Sequence, residues 1–325
     1  MKKNLKYNIA WVAIAAVVYG VLLALYNGGF ITLFTDAIIV NIGINIIAAV
    51  GLNLIIGFSG QFSLGHAGFM AIGAYSCAII TSSNPTYGGF VMGLFVGMLV
   101  SGIVAYVVGL PTLRLKGDYL AIATLGIAEI IRILIVNFRD ITNGPSGIFG
   151  LPQVTTWEVV FVFALISIIL VSNLMNSAPG RAILSVREDE IAAEAMGINT
   201  TKYKVLAFVI GAILASIAGT LFASYQQSVF PKDYQFMKTI DILIIVVFGG
   251  IGSTTGAVLS AVVLGILNMY LQDFGYLRMI LYALTLIIIM IFKPSGLLGT
   301  WEFSAKRIID KFTKKGDDVN ASVGR

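Results

Sequence analysis

Long apolar runs separated by short polar stretches fill most of the chain. Several exceed the ~20 residues that an α-helix needs to cross a bilayer, so the pattern predicts membrane-spanning helices. We place these spans at about 8–26, 33–57, 64–83, 90–110, 119–137, 158–175, 205–225, 241–252, 256–271 and 276–292. The eighth span is short and is compatible with a half-helix. The sequence therefore predicts an all-α polytopic membrane protein with about ten transmembrane helices.

The composition agrees with this class. The chain is 58% hydrophobic and 11% charged, whereas about a quarter of the residues of a soluble domain are charged. Its one cysteine, Cys77, lies in an apolar run and excludes a disulfide framework.

The distribution of basic residues predicts the orientation. With the N-terminus inside, ten crossings return the C-terminus to the inside. All but five of the 21 lysines and arginines then fall on the inner side, as the positive-inside rule expects; the five others are Arg132, Arg139, Lys232, Lys238 and Arg278. We therefore predict cytoplasmic termini, a transmembrane domain at 1–301 with a cytoplasmic loop at 179–204, and a cytoplasmic tail at 302–325. The net charge of +5 reflects the same bias and does not indicate a nucleic-acid partner.

Two sets of four spans run in opposite senses. The second to fifth spans begin outside and the seventh to tenth begin inside, as an inverted repeat requires. Each set contains a glycine-rich interruption, at 57–60 in the first and at 249–252 in the second. The topology thus predicts an inverted repeat of spans 2–5 and 7–10.

The first interruption combines glycines with polar residues between two apolar spans. Irregular backbone at membrane depth is tolerated only where protein or a water-filled cavity satisfies it. This predicts either a hinge beside a transport pathway or a glycine-rich packing turn at the membrane surface. The candidate pathway or hinge residues are Asn53, Gly57, Ser59, Gly60, Gln61, Ser63 and His66, with Gly249, Gly250 and Gly252 in the second interruption.

The longest charged stretch before the tail lies in the loop at 179–204. Apolar residues recur in it at helical spacing, at Ile191, Ala192, Ala195 and Met196. The acidic residues 188–190 suit the first turn of a helix, and Gly197 suits its end. We predict one short amphipathic helix at about 186–197, which is either a surface for another protein or a loop folded onto its own bundle.

Other motifs indicate no catalytic or metal site. The chain has no Gly-Lys pair and therefore no nucleotide-binding loop, and it has no CxxC and no HExxH. Its one histidine, His66, does not suffice for a metal site with several ligands. If transport is driven by nucleotide, another chain must bind it.

Three blocks of the sequence resemble the permease subunits of branched-chain amino-acid ABC importers, of the LivM type. They are GLNLIIGFSGQFSLGHAGFMAIGAY at 51–75, GRAILSVREDEIAAEAMGIN at 180–199 and FGGIGSTTG at 248–256. The resemblance implies a multi-pass protein of the bacterial inner membrane that forms half of a translocation pathway. It also implies four partners: a second permease of the LivH type, two ATPase subunits that hold ATP and magnesium, and an extracytoplasmic substrate-binding protein.

The second block is similar to the cytoplasmic coupling region of that family, although no Leu-Pro follows it here. The resemblance implies an ATPase-docking surface formed by Arg187, Glu188, Asp189, Ile191, Glu194, Ala195, Met196 and Gly197. No enzymatic activity of its own is expected from this chain.

Two alternatives remain at this stage. Importers of urea and short amides use similar permeases, and a pathway with few charges suits those cargoes as well. A secondary transporter or channel would need ion-coupling groups in the membrane core, but Asp36, Glu129 and Asp241 all lie toward the ends of spans.

Overall fold

A computed structural model describes residues 2–29 and 31–271, and then 274, 277, 280, 283, 284, 287, 291, 293, 296–299, 301 and 302. The tenth predicted span, 276–292, lies mostly outside these residues, and so does the predicted tail except for Glu302. The chain contacts define one unit that contains Met1–Asp36 and another that contains Ala37–Trp301. The features below belong to the second unit unless stated.

The described residues are almost entirely helical. Their α-helices are α1 (Lys2–Asn27), α2 (Leu33–Asn53), α3 (His66–Ser83), α4 (Tyr87–Thr112), α5 (Asp118–Asn137), α6 (Arg139–Thr142), α7 (Trp157–Asn176), α8 (Ala178–Glu188), α9 (Glu190–Ala195), α10 (Thr200–Gln226), α11 (Phe236–Gly249) and α12 (Thr254–Leu271). A π-helix covers Leu54–Phe58, and 3₁₀ turns cover Gly144–Ser146 and Pro231–Tyr234. Two-residue strands, β1 (Ile148–Phe149) and β2 (Ser228–Val229), pair antiparallel with Ile148 opposite Val229. The prediction of an all-α protein is confirmed.

Six helices of the described part are long and apolar enough to cross a membrane. They are α2 with its π-helical end, α4, α5, α7, α10 and α12. Their bounds match six of the predicted spans, with one difference at α10. That helix begins at Thr200 rather than at 205, so it includes five residues assigned to the cytoplasmic loop. The chain is a polytopic membrane protein.

The eighth predicted span corresponds to α11, which is shorter than a full crossing. Its 14 residues extend about 21 Å at 1.5 Å per residue, against about 30 Å of hydrocarbon. The helix runs over Phe236–Gly249 rather than 241–252, because polar residues near its start are placed inside the bundle. Thr239 is buried and accepts a hydrogen bond from the Ala67 N–H at 3.0 Å. Lys238 lies over the Phe222 ring, 5.2 Å from its centroid.

The centre of the bundle is formed by α3, α4 and α10, which pack through small residues. A Cβ added at Gly73 of α3 would lie 2.0 Å from the Ser216 carbonyl oxygen of α10. Two hydroxyls form hydrogen bonds between these helices. Thr220 of α10 donates to the Gly73 carbonyl of α3 at 3.0 Å, and Ser101 of α4 donates to the Ala212 carbonyl of α10 at 2.9 Å. Small residues that allow such close approach are typical of helix packing in lipid. This core holds the segments described next.

Candidate functional site

The first glycine-rich interruption begins where α2 changes into a π-helix and ends where α3 begins. Residues between Ser59 and Gly65 have no regular helix. Nε2 of the His66 ring lies 3.0 Å from the carbonyl oxygen of Ala48. Ala48 precedes Gly57 by nine residues, or about 13 Å of helix. The irregular segment therefore returns alongside α2 before α3 starts. We call residues 54–65 the first break.

From Ser59 to Ser63, the residues of the first break alternate between buried and exposed positions. Ser59, Gln61 and Ser63 are buried, whereas Phe62 is 42% exposed. The Gln61 amide nitrogen donates to the Lys204 carbonyl at 3.0 Å and to the Ser59 hydroxyl. This two-residue alternation is an extended-chain signal that was visible in the sequence. The backbone is bonded as well: the Gln61 N–H donates to the Ile55 carbonyl and the Leu64 N–H to the Thr124 hydroxyl, both at 3.0 Å, as burial in a membrane requires.

Three buried polar atoms in the first break or directly next to it have no hydrogen-bond partner within the described residues. They are Asn53 Nδ2, Gln61 Oε1 and His66 Nδ1. Unpaired buried polar atoms are uncommon, and water or a ligand ordinarily satisfies them. The choice between a hinge beside a pathway and a packing turn stays a prediction.

The second break is the turn at 250–253 between α11 and α12. Gly250 and Gly252 have φ values of +114° and +88°, which glycine adopts without strain. The Gly252 N–H donates to the Asn53 side-chain oxygen at 2.9 Å. A Cβ at Gly57 would lie 2.4 Å from the Gly252 nitrogen. The two breaks, about 200 residues apart in sequence, therefore touch; we call the contact of Asn53, Gly57 and Gly252 the break joint.

Gly249, the last residue of α11, and Gly250 of the second break have other neighbours. A Cβ at Gly249 would lie 2.3 Å from the Gly256 carbonyl oxygen, and one at Gly250 would lie 2.2 Å from that of Gly299. The Leu297 N–H also donates to the Phe248 carbonyl at 2.7 Å. These two glycines hold the turn against α12 and residues 296–299, so their contacts are those of packing.

The charged loop forms two helices, not the single helix predicted at 186–197. α8 ends at Glu188, and Asp189 is extended with φ −154°. The Asp189 carboxylate accepts the Ile191 and Ala192 N–H groups at 2.9 and 3.0 Å, which caps α9. Aspartate is a strong N-cap, so it breaks the helix at a position where the apolar spacing alone predicted continuity. Gly197 ends the region as predicted, with φ +83°.

One side of α9 is apolar and open to solvent. The exposed fractions of Ile191 and Met196 are 76% and 83%, and Ala192 and Ala195 are also exposed. Ala193 faces the protein and is 4% exposed. We call Ile191, Ala192, Ala195 and Met196 the docking face. An exposed apolar surface of this kind is a candidate site for contact with another protein. The carboxylate of Glu194, between these residues in sequence, accepts a hydrogen bond from the Thr200 hydroxyl at 2.7 Å.

The side chain of Arg187 contacts the first break. Its Nη1 donates to the Gly57 carbonyl at 2.8 Å, and its Nε lies 3.8 Å from the Glu188 carboxylate. Glu188 itself is open to solvent. Of the eight predicted docking residues, Arg187 is thus the one that connects α8 with the pathway candidates. Sequence spacing contained no signal for a contact over 130 positions.

Two lysines tie α9 to the bundle through Glu190, a residue that sequence analysis did not single out. Lys204 Nζ lies 2.5 Å from one carboxylate oxygen and Lys116 Nζ lies 3.3 Å from the other. Partial burial raises the pKa of Glu190, but the hydrogen bonds and charges of Lys204 and Lys116 outweigh it, so the pKa lies below its usual value.

Replacing Glu190 by glutamine should lower stability at neutral pH, because both ion pairs lose their anion. A depressed carboxyl pKa contributes stability above the unfolded-state pKa and loses it as the pH falls through the folded value. We expect a loss of about 1 kcal/mol at pH 7, given the partial exposure, and a shrinking difference below pH 4.5, the usual pKa. Thermal unfolding in detergent from pH 7 to pH 3 measures this. Glu158→Gln, at an exposed position, is the control; an equal pH response in both variants would contradict the assignment.

The comparisons with known proteins agree with this architecture. The sequence model described as "Branched-chain amino acid transport system / permease component" matches residues 34–291. The LivM permease protein of the high-affinity branched-chain amino-acid transport system of Salmonella typhimurium is 38% identical over 265 residues, which are 71% of this chain and 62% of the relative. The LivH permease protein of the same organism is 31% identical over 161 residues, 48% of this chain and 51% of the relative. The chain therefore spans less than two thirds of the length of these relatives.

Among solved structures, PsaBC from Streptococcus pneumoniae in complex with Fab has a TM-score of 0.44 and 16% identity, over 83% of this chain and 95% of that one. The family match covers well over half of the chain and includes both breaks, α8 and α9. This protein belongs to the family of permease components of branched-chain amino-acid transport systems.

Proposed function

We propose that this chain is the membrane permease subunit of an ATP-driven importer of leucine, isoleucine and valine. The observation that carries the proposal is the exposed docking face on α9, which begins four residues after an arginine that contacts the break joint. A self-contained channel has no use for such a face, whereas an importer driven by a separate ATPase needs one. The family match and the names of the LivM and LivH relatives support the cargo.

The proposal includes partners. A second permease of the LivH type would complete the pathway, an extracytoplasmic binding protein would deliver the amino acid, and two ATPase subunits would bind ATP and magnesium. The docking face, with Glu188, Asp189, Glu194 and Gly197 around it, would meet the ATPase. This chain would then be non-catalytic, with ATP hydrolysis confined to its partners.

The proposal also includes the topology. Ten crossings, cytoplasmic termini and an inverted repeat of spans 2–5 and 7–10 would place α8, α9 and both breaks toward the cytoplasm in a bacterial inner membrane. The basic residues of the loop, including Arg181, Arg187, Lys202 and Lys204, support that side. The break joint would line or gate the pathway, which the three unpaired polar atoms at the first break support.

Deletion of the gene should abolish high-affinity uptake of radiolabelled leucine, and restoring the gene should return it. Excess isoleucine or valine should suppress the restored uptake because a pathway for apolar side chains does not distinguish strongly among them. A pathway for urea or short amides predicts the opposite pattern: no change in leucine uptake, and loss of urea or amide uptake. That pattern would contradict the assigned cargo while leaving the permease assignment intact.

A further inference from the structure

We propose that Arg187 is the positioning residue through which movement of α9 reaches the break joint. The proposal rests on the proposed function, since it assigns a role in the coupling of an ATPase to the pathway. Arg187 is the second-last residue of α8 and lies two positions before Asp189, the cap of α9. It therefore stands between the docking face and the breaks.

The guanidinium meets a backbone group that needs a partner. Gly57 lies in the last turn of the π-helix Leu54–Phe58, where carbonyls lack partners within the helix. Arg187 Nη1 donates to the Gly57 carbonyl at 2.8 Å. A cation at the end of a helix also complements the helix dipole. The contact is thus a charge-assisted hydrogen bond to the end of the π-helix that follows α2.

Two glycines, one from each break, leave room for this side chain. A Cβ at Gly252 would lie 2.9 Å from Arg187 Nη1, and a Cβ at Gly60 would lie 3.1 Å from Arg187 Cγ. A Cβ at Gly57 would lie 2.1 Å from the Asn53 side-chain oxygen. Gly60 and Gly252 thus both adjoin Arg187, whereas Gly57 leaves room for the contact between Asn53 and Gly252. Arg187 therefore adjoins the two breaks together, at the place where Asn53 accepts the Gly252 N–H.

This arrangement converts movement of one cytoplasmic element into movement of both breaks. If an ATPase draws α9, Arg187 moves with it, and the π-helix end and the second turn follow because they are joined through Asn53. Lysine at this position would keep one charged donor but lose the planar fork of donors, so it should retain only part of the effect.

The test uses the complete transporter, purified with its ATPase, second permease and binding protein and reconstituted in liposomes. Arg187→Gln should lower the leucine transported per ATP hydrolysed by about tenfold or more, with transport normalised to the ATPase that copurifies. Arg187→Lys should recover part of that loss. Arg181→Gln is the matched control, because Arg181 is exposed on the same helix and its hydrogen bond among the described residues goes to the Asn176 carbonyl at 3.4 Å.

A second measurement does not depend on the cargo. Hydrogen exchange is compared between nucleotide-free and ATP–vanadate-trapped transporter for peptides that cover 54–65, 249–253 and 190–197. In the wild type and in Arg181→Gln all three should change; in Arg187→Gln only 190–197 should change. The role would be overturned if Arg187→Gln transported leucine with wild-type coupling, or if its peptides at 54–65 and 249–253 changed as they do in the wild type. Loss of the ATPase from this variant would also overturn it, because Arg187 would then act in docking.

The two assignments fail differently. If the wild type carries no leucine but shows the exchange pattern, the cargo assignment is wrong and the role of Arg187 stands. If no ATPase copurifies with the wild type, the proposed function fails and the role of Arg187 fails with it.

Discussion

Replacing Met196 by arginine should remove the ATPase from the purified permease. Met196 is 83% exposed and lies at the C-terminal end of α9, in the docking face. In an apolar contact the introduced guanidinium would lose its hydration without gaining a partner. A central interface residue replaced in this way costs about 2 kcal/mol or more, roughly thirtyfold in affinity. Uptake should fall together with the amount of bound ATPase.

The measurement is the ratio of ATPase to permease after affinity purification through the permease. Met196→Leu keeps the apolar character and should retain the ATPase. Because Met196 is open to solvent, the arginine variant should unfold at the same temperature as the wild type. An unchanged amount of ATPase with the arginine variant would show that this face is not the docking surface.

Replacing Gly73 by valine should prevent the permease from folding. A Cβ at this position would lie 2.0 Å from the Ser216 carbonyl oxygen and 2.6 Å from its carbonyl carbon. These are backbone atoms of α10, so relief requires the two most buried helices to separate. Overpacking of a core costs about 1–3 kcal/mol where side chains absorb it, and a clash with backbone costs more. Separation would also break the Thr220 hydrogen bond to Gly73.

Folded yield is measured by fluorescence-detected size exclusion of the detergent-solubilised protein. Gly126→Val is the matched control, since Gly126 is also helical and a Cβ there meets no atom within 4 Å. The control should give a wild-type peak and Gly73→Val should give an aggregate. Equal peaks would contradict the close approach of α3 and α10.

The bounds of the long spans were predictable because each depends on a local property. An uninterrupted apolar run of about 20 residues has few alternatives to a membrane helix. α4, α5, α7 and α12 therefore begin and end within three residues of their predicted bounds. α11 was harder, because Lys238 and Thr239 look like loop residues until the ring of Phe222 and the Ala67 N–H are placed beside them.

The charged loop shows where a periodic pattern misleads. The spacing of Ile191, Ala192, Ala195 and Met196 correctly predicted one apolar face, and Gly197 correctly predicted its end. From the same spacing we also predicted that the helix begins at 186. That range contains an aspartate, whose side chain competes for backbone N–H groups. Asp189 takes two of them and divides the region into α8 and α9. In a short segment, a strong capping residue is therefore better evidence for a helix boundary than apolar periodicity is for an unbroken helix.

The sequence alone determined the membrane class, the long spans, the two glycine-rich breaks and an apolar face in a charged loop, because each is encoded within about 20 neighbouring residues. Only the tertiary structure decided that the breaks touch through Asn53 and Gly252, and that Arg187 contacts Gly57. Those contacts join backbone groups of glycines, which have no side chain to reveal a partner. They depend on how α2, α8 and α11 pack, and that packing is set by the small-residue contacts of the whole bundle.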